Sequence, residues 1–477
     1  MFTLQTVIYW GMLIGTPLIL ALGAITSGAL AGRWARYLIY PYLGILIFFS
    51  GSEYGLLDDD ASRRIYSRGS GVLYFPFVNL YLFWLAGIVG FHAIWNRLPA
   101  PKAEVRKYLL FFGLVFVAQI FVGLILDKSI FFILYKSGTM YLMNAIILVF
   151  VLLRAFRDEQ AVNELLSFFM LCVFLRVCWG LIRFALLGGD DANYYANYEH
   201  LNIKLTFFDI NDSILATMGA FLAAARLTDR DGLRQHPWKK LFLLTLLITA
   251  TLVVILSYRR TAWTGYMLAG LAFLWLYRKK VSWPLVATVG SVALFGVFSL
   301  WTYRFAESSQ GGLIGTLFPD MASGGKLTED SGRLFELRLA MDTIRQHFLL
   351  GVGNWGEYEA SSSKQVAFHR GRFFFMHSGF LHVWLKTGLV GLIPFIGALW
   401  VSSRDAVRLN ATLESPVWQA LAATGLAGIL VSMPNMLGGT PIIEYRTMQV
   451  LGLMLALPYL ARAAGLNPST GKNNHAC

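Results

Sequence analysis

Runs of about twenty apolar residues recur along the whole chain, and each is long enough to cross a hydrocarbon core roughly 30 Å thick. Apolar residues make up 56% of the 477 positions, whereas charged residues make up only 14%. Long uninterrupted apolar segments of this kind are typical of transmembrane helices. We therefore predict an all-α polytopic membrane protein.

The apolar runs predict about thirteen spans. The second run is short and contains Pro41, so twelve spans with a half-crossing near the N-terminus are an open alternative. The first run lacks a basic segment before it and a small-residue cleavage site after it, so we expect it to be a retained span. The predicted spans are 7–30, 37–51, 72–95, 108–126, 129–153, 164–188, 207–226, 241–257, 261–277, 282–301, 377–400, 417–434 and 446–461.

Basic residues indicate the orientation of these spans, because Lys and Arg collect in alternate short loops. The loops around 97–107, 154–157, 226–240, 278–280 and 404–408 carry them and are predicted to be cytoplasmic. The net charge of +13 then reflects orientation and contact with anionic membrane lipids rather than nucleic-acid binding. The segments predicted on the opposite side are 189–206, the turn at 258–261, 302–376 and 435–445.

Three regions follow from this pattern: an N-terminal transmembrane bundle (1–188), a second transmembrane region (189–462), and a disordered cytoplasmic tail (463–477). The second region contains the long outward loop 302–376, and loops of this length are usually functional or disordered. Between 331 and 350 apolar residues recur near helical spacing, while Arg333 and Glu336 fall largely elsewhere. This pattern predicts an amphipathic helix at the membrane surface.

Several cations lie on the predicted outward side or within a span. Arg259 and Arg260 form the tip of a tight hairpin, against the charge bias of the topology, which fits either a functional site or guanidinium groups held at head-group level. Arg176 and Arg183 share one face of an apolar span, and Arg176 fits either a cavity or a buried ion pair. With Lys204, the outward cations fit one cavity suited to a diphosphate, because arginine presents a planar fork of donors to phosphate oxygens.

His377 opens the eleventh predicted span. Histidine titrates near neutral pH, so it is a candidate general base if a substrate hydroxyl lies beside it, although a head-group or capping role is the alternative. Two other motifs are discounted. The G-x-G-x-x-G match at 351–356 has no preceding strand, and the acidic run 58–60 has no flanking ligands. The three cysteines have no ligand spacing, so no metal or cofactor is predicted.

In this order, the motifs resemble the O-antigen ligase and O-antigen polymerase superfamily, polytopic glycosyltransferases of the GT-C type. Lys204-Leu-Thr-Phe-Phe-Asp-Ile-Asn211 resembles its Arg-x-x-Gly-Thr-Phe-x-x-x-Asn pattern, and Ser257-Tyr-Arg-Arg-Thr-Ala262 its Ser-x-Ser-Arg-Gly-Ala. Further on, the loop and the helix after it are matched by Gly332-Arg-Leu, Leu349-Leu-Gly-Val-Gly353 and His377-Ser-Gly-Phe-Leu-His-Val-Trp-Leu-Lys-Thr-Gly-Leu-Val-Gly391.

The resemblance implies transfer of a glycan from a polyprenyl (undecaprenyl) diphosphate carrier to an acceptor hydroxyl, without a metal. The reaction would take place on the periplasmic side of the bacterial cytoplasmic (inner) membrane. In this scheme Arg260 holds the diphosphate and His377 lies near the acceptor. Arg333, which lies in the loop motif, is added to the predicted diphosphate-binding residues.

The sequence departs from the family pattern at three positions: Asn202 replaces an arginine, Ser378 an asparagine common there, and Lys386 a common glutamate. Lys204 is the cation nearest to the missing arginine, and Arg259 or Arg183 is expected to compensate for it.

The acceptor is left open between lipid A-core (a ligase), a growing glycan (a polymerase) and a protein hydroxyl, and we favour the ligase. A secondary transporter is the alternative of a different class. It would be expected to show internal repeats and cations near the bilayer midplane, whereas the cations here lie mainly at the outer edge.

The topology is tested by placing single cysteines at Ser323 and Gly232 in a variant without the native cysteines. An impermeant thiol reagent added to intact spheroplasts should label position 323 and not 232, because the basic loops are retained inside. Labelling at 232 but not at 323 would reverse the predicted orientation.

Overall fold

A computed structural model describes residues 34–49, 77–98, 101–129, 132–136, 138–189, 205–207, 209–229, 236–257, 259–281, 327–360, 371–439 and 441–466, with isolated residues elsewhere. Within these residues the chain is almost entirely helical. Seven of the described helices are long and apolar enough to cross a membrane. The predicted all-α polytopic membrane fold is therefore confirmed.

The described part of the chain contains twelve α-helices. In chain order they are α1 (Ala35–Phe48), α2 (Phe77–Trp95), α3 (Val105–Ile125), α4 (Thr139–Ala155), α5 (Glu159–Leu186), α6 (Ile210–Leu227), α7 (Pro237–Ile255), α8 (Arg260–Tyr277), α9 (Leu327–Gln346), α10 (Gly379–Thr412), α11 (Pro416–Gly438) and α12 (Tyr445–Leu466). A π-helical turn, Phe132–Lys136, precedes α4, and a 3₁₀ turn, Pro441–Ile443, precedes α12. A two-stranded antiparallel hairpin, β1 (Tyr358–Ala360) and β2 (Gly371–Phe373), lies between α9 and α10.

Eleven of the predicted spans coincide with described helices, within a few residues at each end for most of them. The first and tenth predicted spans, 7–30 and 282–301, lie almost wholly outside the described residues. The prediction was wrong about the end of the eleventh span. Helix α10 continues to Thr412, so Arg404 lies on the helix and not in a loop. Arg404 binds Asp405 and Glu104, so its charge is paired without ending the helix.

The later helices pack closely around α11. Helix α8 approaches it at Gly265, where a Cβ would overlap the backbone of Val431. Helix α12 approaches α11 in the same way at Gly425, where a Cβ would overlap Pro458 and the Met454 carbonyl oxygen. Small residues allow such close approach of helices in a membrane, where packing replaces the hydrophobic driving force.

Helix α10 is broken at Gly388, and the segment after α9 fills the break. Gly388 has a φ of +65°, which favours glycine. The amide nitrogens of Val352 and Gly353 donate to the carbonyl oxygens of Leu385 and Lys386, at 2.8 and 3.1 Å. On the other side of the break, Leu389 N and Val390 N donate to the carbonyl oxygens of Phe348 and Leu349. The glycine motif at 351–356 thus belongs to a segment that docks on a membrane helix.

Replacing Gly388 by alanine should destabilise the protein strongly. A Cβ would overlap the carbonyl group of Leu349, and the positive φ alone costs about 1–3 kcal/mol for other residues. Thermal unfolding in detergent measures the effect. Gly270→Ala is the matched control, because no atom lies within 4 Å of its added Cβ. Equal melting temperatures of the two variants would show that the break at Gly388 does not contribute to the stability of the protein.

Candidate functional site

Helices α6, α8, α10 and α12 all begin at one end of the bundle, which we call the His377 end. Arg446 near the start of α12 pairs with Asp209, the N-cap of α6. At the start of α10, a Cβ on Gly379 would contact Pro441, which precedes α12. Thr206 N, before α6, donates to Leu256 O, four residues before α8 begins. The partial positive charges of four helix N-termini are therefore gathered at this end.

His377 forms a close pair with Glu336 of α9. Its Nδ1 lies 2.7 Å from Glu336 Oε2, and its backbone nitrogen donates to Glu336 Oε1 at 3.2 Å. A carboxylate only accepts hydrogen bonds, so Nδ1 carries the proton in this pair. The Glu336 side chain is 3% exposed and that of His377 is 24% exposed. The histidine is thus accessible, while a buried carboxylate fixes its tautomer and orientation.

Tyr358 of β1 completes this arrangement. Its hydroxyl lies 3.0 Å from Glu336 Oε1 and 2.9 Å from the carbonyl oxygen of Phe375. Burial and the adjacent carboxylate raise the pKa of Tyr358, which keeps the hydroxyl protonated. The hairpin therefore holds Glu336 from one side while His377 holds it from the other.

Sequence reasoning misplaced Glu336, which we predicted on the solvated face of the loop helix. Glu336 is buried and shares a face with Ala340 and Ile344, both of which are also buried. These residues are spaced four apart, so they lie above one another on one side of α9. The signal that could have identified Glu336 in the sequence is its position in an i, i+4, i+8 row whose other two members are apolar.

Ser378 follows His377 and caps α10. Its side chain accepts a hydrogen bond from the Leu381 nitrogen, and its backbone is extended. Serine and asparagine are about equally good N-caps, which accounts for serine at a position where the family commonly has asparagine.

Lys386, the other departure in this helix, lies at the break in α10. The side chain is fully buried, and Nζ donates to the Gly356 carbonyl oxygen. The ring of Phe374, three residues before His377, packs against the same ammonium group. Lys386 therefore binds the two chain segments that flank the hairpin.

A buried charge network lies at the His377 end between α5, α6 and α12. Arg176 contacts both oxygens of Asp212, at 3.1 and 3.2 Å, and donates to the Phe48 carbonyl oxygen at the end of α1. Arg446 contacts Asp212 at 2.7 Å and Asp209 at 3.2 Å. Two positive and two negative charges thus balance, and of the two readings of Arg176 the structure shows the buried ion pair. Sequence reasoning missed Arg446.

The structure describes some of the remaining predicted cations fully and others only in part. Arg259 is the N-cap of α8 and Arg260 its first residue, so both lie at the His377 end. Arg183 is buried in α5, with 2% of its surface exposed. Position 333 lies on α9. Lys204 and the side chains of Arg260 and Arg333 lie outside the described residues.

Glu444, just before α12, is a further acidic residue at this end. Thr447 Oγ1 donates to its Oε2 at 2.6 Å. The Glu444 side chain is exposed to water. Desolvation by the neighbouring helix starts and the Asp209 carboxylate raise the pKa of Glu444, whereas Thr447, Arg259 and Arg446 lower it. Sequence reasoning missed this residue as well.

Among the described residues, no group of three His, Cys, Asp or Glu side chains could hold a metal ion. The acidic run 58–60 lies outside them. The arrangement at the His377 end therefore offers a histidine–carboxylate pair, cations and helix N-termini.

The family model described as O-Antigen ligase matches residues 244–396, which include Arg259, Arg260, α9 and His377. No curated protein matches the chain. The resemblance predicted from the motifs is therefore confirmed over this region, and it indicates a glycosyltransferase-type membrane enzyme of the ligase and polymerase class.

Proposed function

We propose that the protein transfers a glycan from a polyprenyl diphosphate carrier to an acceptor hydroxyl, as an O-antigen ligase does. The observation that carries the proposal is the contact between Glu336 and His377, 2.7 Å apart, at the end of the bundle where Arg259 and Arg260 begin α8. In this proposal residues 189–462 form the catalytic region and 1–188 a supporting bundle. The reaction faces the periplasm from the cytoplasmic membrane.

His377 is proposed to act as the general base. Since Nδ1 is bound to Glu336, Nε2 would take the proton from the acceptor hydroxyl. Glu336 would then stabilise the imidazolium that forms, because its buried carboxylate already contacts the other ring nitrogen. Tyr358 positions Glu336 and does not touch substrate in this scheme.

The donor diphosphate is proposed to bind at the start of α8. Arg260 would hold it, with Arg259, Lys204 and Arg333 as further cations. The N-termini of α6, α8 and α12 add a favourable field for an anion, as helix N-termini generally do. Arg183 would contribute only if the donor reached its buried side chain in α5.

Transfer is proposed as a single inverting displacement. The acceptor oxygen forms a bond to the anomeric carbon while the bond from that carbon to the diphosphate oxygen breaks. The proton goes to His377, and the leaving diphosphate keeps the electron pair. Its charge is spread over several oxygens, so positioning and fixed cations supply most of the catalysis and no metal is needed in this scheme.

The acceptor class decides between ligase and polymerase. Purified protein is given a carrier-linked oligosaccharide either with or without lipid A-core, and the products are separated by size. We expect product only when the core lipid is present. Elongation of the carrier-linked glycan without it would indicate a polymerase, and transfer to a protein hydroxyl an oligosaccharyltransferase. If intact cells without the gene failed to export the lipid-linked glycan, the protein would be a transporter and not a glycosyltransferase.

His377→Ala should lower transfer by about 10²–10⁴-fold while donor binding is retained, because a general base acts only in the chemical step. His377→Gln should be similarly slow, and Glu336→Gln should lower transfer by more than about tenfold, since the ring loses its fixed tautomer. Single-turnover transfer rates measure these effects. Asp342→Asn is the control on the same helix, because Asp342 is exposed. A wild-type transfer rate in Glu336→Gln would refute the proposal that the Glu336–His377 pair contributes to transfer.

Arg260→Ala should abolish transfer in a protein that still inserts, and Arg260→Lys should be impaired because the bidentate fork is lost. Lys204→Arg should remain active, since it restores a guanidinium near the position where the family has one. Arg278→Ala, at the opposite end of α8, is the matched control. Donor binding and transfer are measured together with the melting temperature. Full activity of Arg260→Ala would reject the proposal that the donor diphosphate binds at Arg260.

A further inference from the structure

The Glu336–His377 pair depends on the position of the hairpin between α9 and α10. Tyr358, the first residue of β1, reaches Glu336 Oε1 at 3.0 Å. Strand β2 ends only four residues before His377. Any shift of the hairpin against α10 would therefore change how the tyrosine and the histidine meet the Glu336 carboxylate.

Lys386 is the side chain of α10 that contacts both strands of the hairpin at their ends. Its Nζ donates to the carbonyl oxygen of Gly356, two residues before β1 begins. The same nitrogen lies 5.6 Å from the centre of the ring of Phe374, one residue after β2 ends. The start of β1 pairs with the end of β2, so this is the open end of the hairpin. One side chain thus holds together the two segments that lead to Tyr358 and His377.

The backbone of Lys386 is fixed as well, so the side chain extends from a rigid base. Its carbonyl oxygen accepts hydrogen bonds from Gly353 N at 3.1 Å and from Gln119 Nε2 of α3 at 2.8 Å. Leu385, Lys386 and Thr387 are all buried. The length of the lysine side chain therefore sets the distance between α10 and the open end of the hairpin.

The burial of Lys386 costs free energy. An ammonium group loses its hydration in the protein interior, and a neutral amine has first to give up its proton. In the part of the chain that the structure describes, no carboxylate forms an ion pair with Lys386, although the charge of Glu357 acts on it from farther away. Replacing buried charged groups by apolar side chains of similar size is often neutral or stabilising. The stability of the fold alone therefore does not account for a lysine at this position.

We propose that Lys386 is a positioning residue for the transfer reaction, which sets the geometry of the Glu336–His377 pair by holding the open end of the hairpin. The inference rests on the proposed function and adds a residue that touches neither donor nor acceptor. Without Lys386, Tyr358 and His377 are no longer held against the same carboxylate. The proton of the neutral imidazole is then found on either ring nitrogen, and Nε2 is free to act as the base for only part of the time.

Lys386→Met removes the hydrogen-bond donor and keeps a side chain of nearly the same length. The melting temperature in detergent should equal that of wild type or exceed it, because no buried amine remains. Single-turnover transfer from the carrier-linked oligosaccharide should fall by about tenfold or more, since small displacements of catalytic groups have effects of at least that size. Lys280→Met is the matched control and should change neither quantity, because Lys280 is exposed at the opposite end of the bundle.

A second measurement does not depend on the reaction. NMR of protein with ¹⁵N-labelled histidine shows which ring nitrogen carries the proton, and the signal that His377→Gln removes is that of His377. Wild type should show the proton on Nδ1 alone, whereas Lys386→Met should show both tautomers. Phe374→Leu, which removes only the ring beside the lysine, should change the transfer rate and the tautomer in the same direction by less.

A double variant tests whether Lys386 acts through the pair. In the Glu336→Gln background, Lys386→Met should cause little further loss of transfer, because the contact that the lysine positions is already weakened. Full additivity of the two losses would mean that Lys386 acts elsewhere and would contradict the proposal.

A Lys386→Met variant with wild-type transfer and the single Nδ1 tautomer would overturn the role of Lys386. A lower melting temperature with an unchanged rate per folded molecule would also overturn it, since the lysine would then serve only the fold. If Lys386→Met does not fold, Phe374→Leu decides by the same two measurements. Absence of transfer in wild type, with a single tautomer that Lys386→Met disturbs, would instead reject the proposed function and support the positioning of His377.

Discussion

Asp212 is the residue on which the polar end of the bundle depends. It receives Arg176 from α5 and Arg446 from α12, and those arginines in turn bind carbonyl oxygens at the end of α1. Four helices are thus joined through one buried carboxylate. Removing one partner of a buried pair typically costs about 3–5 kcal/mol, because the other charge is left unpaired. Helices α6 and α12, whose N-termini lie at the His377 end, share this anchor.

The transmembrane helices could be predicted from the sequence because hydropathy over about twenty residues is a local property. The end of α10 could not, since Arg404 is accommodated by Glu104, 300 residues away in the chain. The same limit applies to the site. His377 and the arginine pair carry local motifs, but the partners of Glu336 and Arg446 lie in distant segments of the chain. Arg446 meets Asp209 across 237 residues.

The site combines two kinds of local environment. On the side of α9, a carboxylate with 3% exposure orients a histidine that water and substrate can reach. On the side of α6 and α12, the buried charges of Arg176, Arg446, Asp209 and Asp212 balance one another. The matched region, 244–396, includes Glu336, His377 and the arginine pair, whereas Asp209, Asp212 and Arg446 lie outside it.

The break in α10 has a mechanical consequence. Backbone hydrogen bonds on both sides of Gly388 fasten the segment after α9 to the same helix that begins beside His377. Helix α9, the hairpin and the first turns of α10 are therefore joined into one unit. If this unit tilts relative to the other helices, Glu336 and His377 move together, so the carboxylate stays beside the ring that it orients.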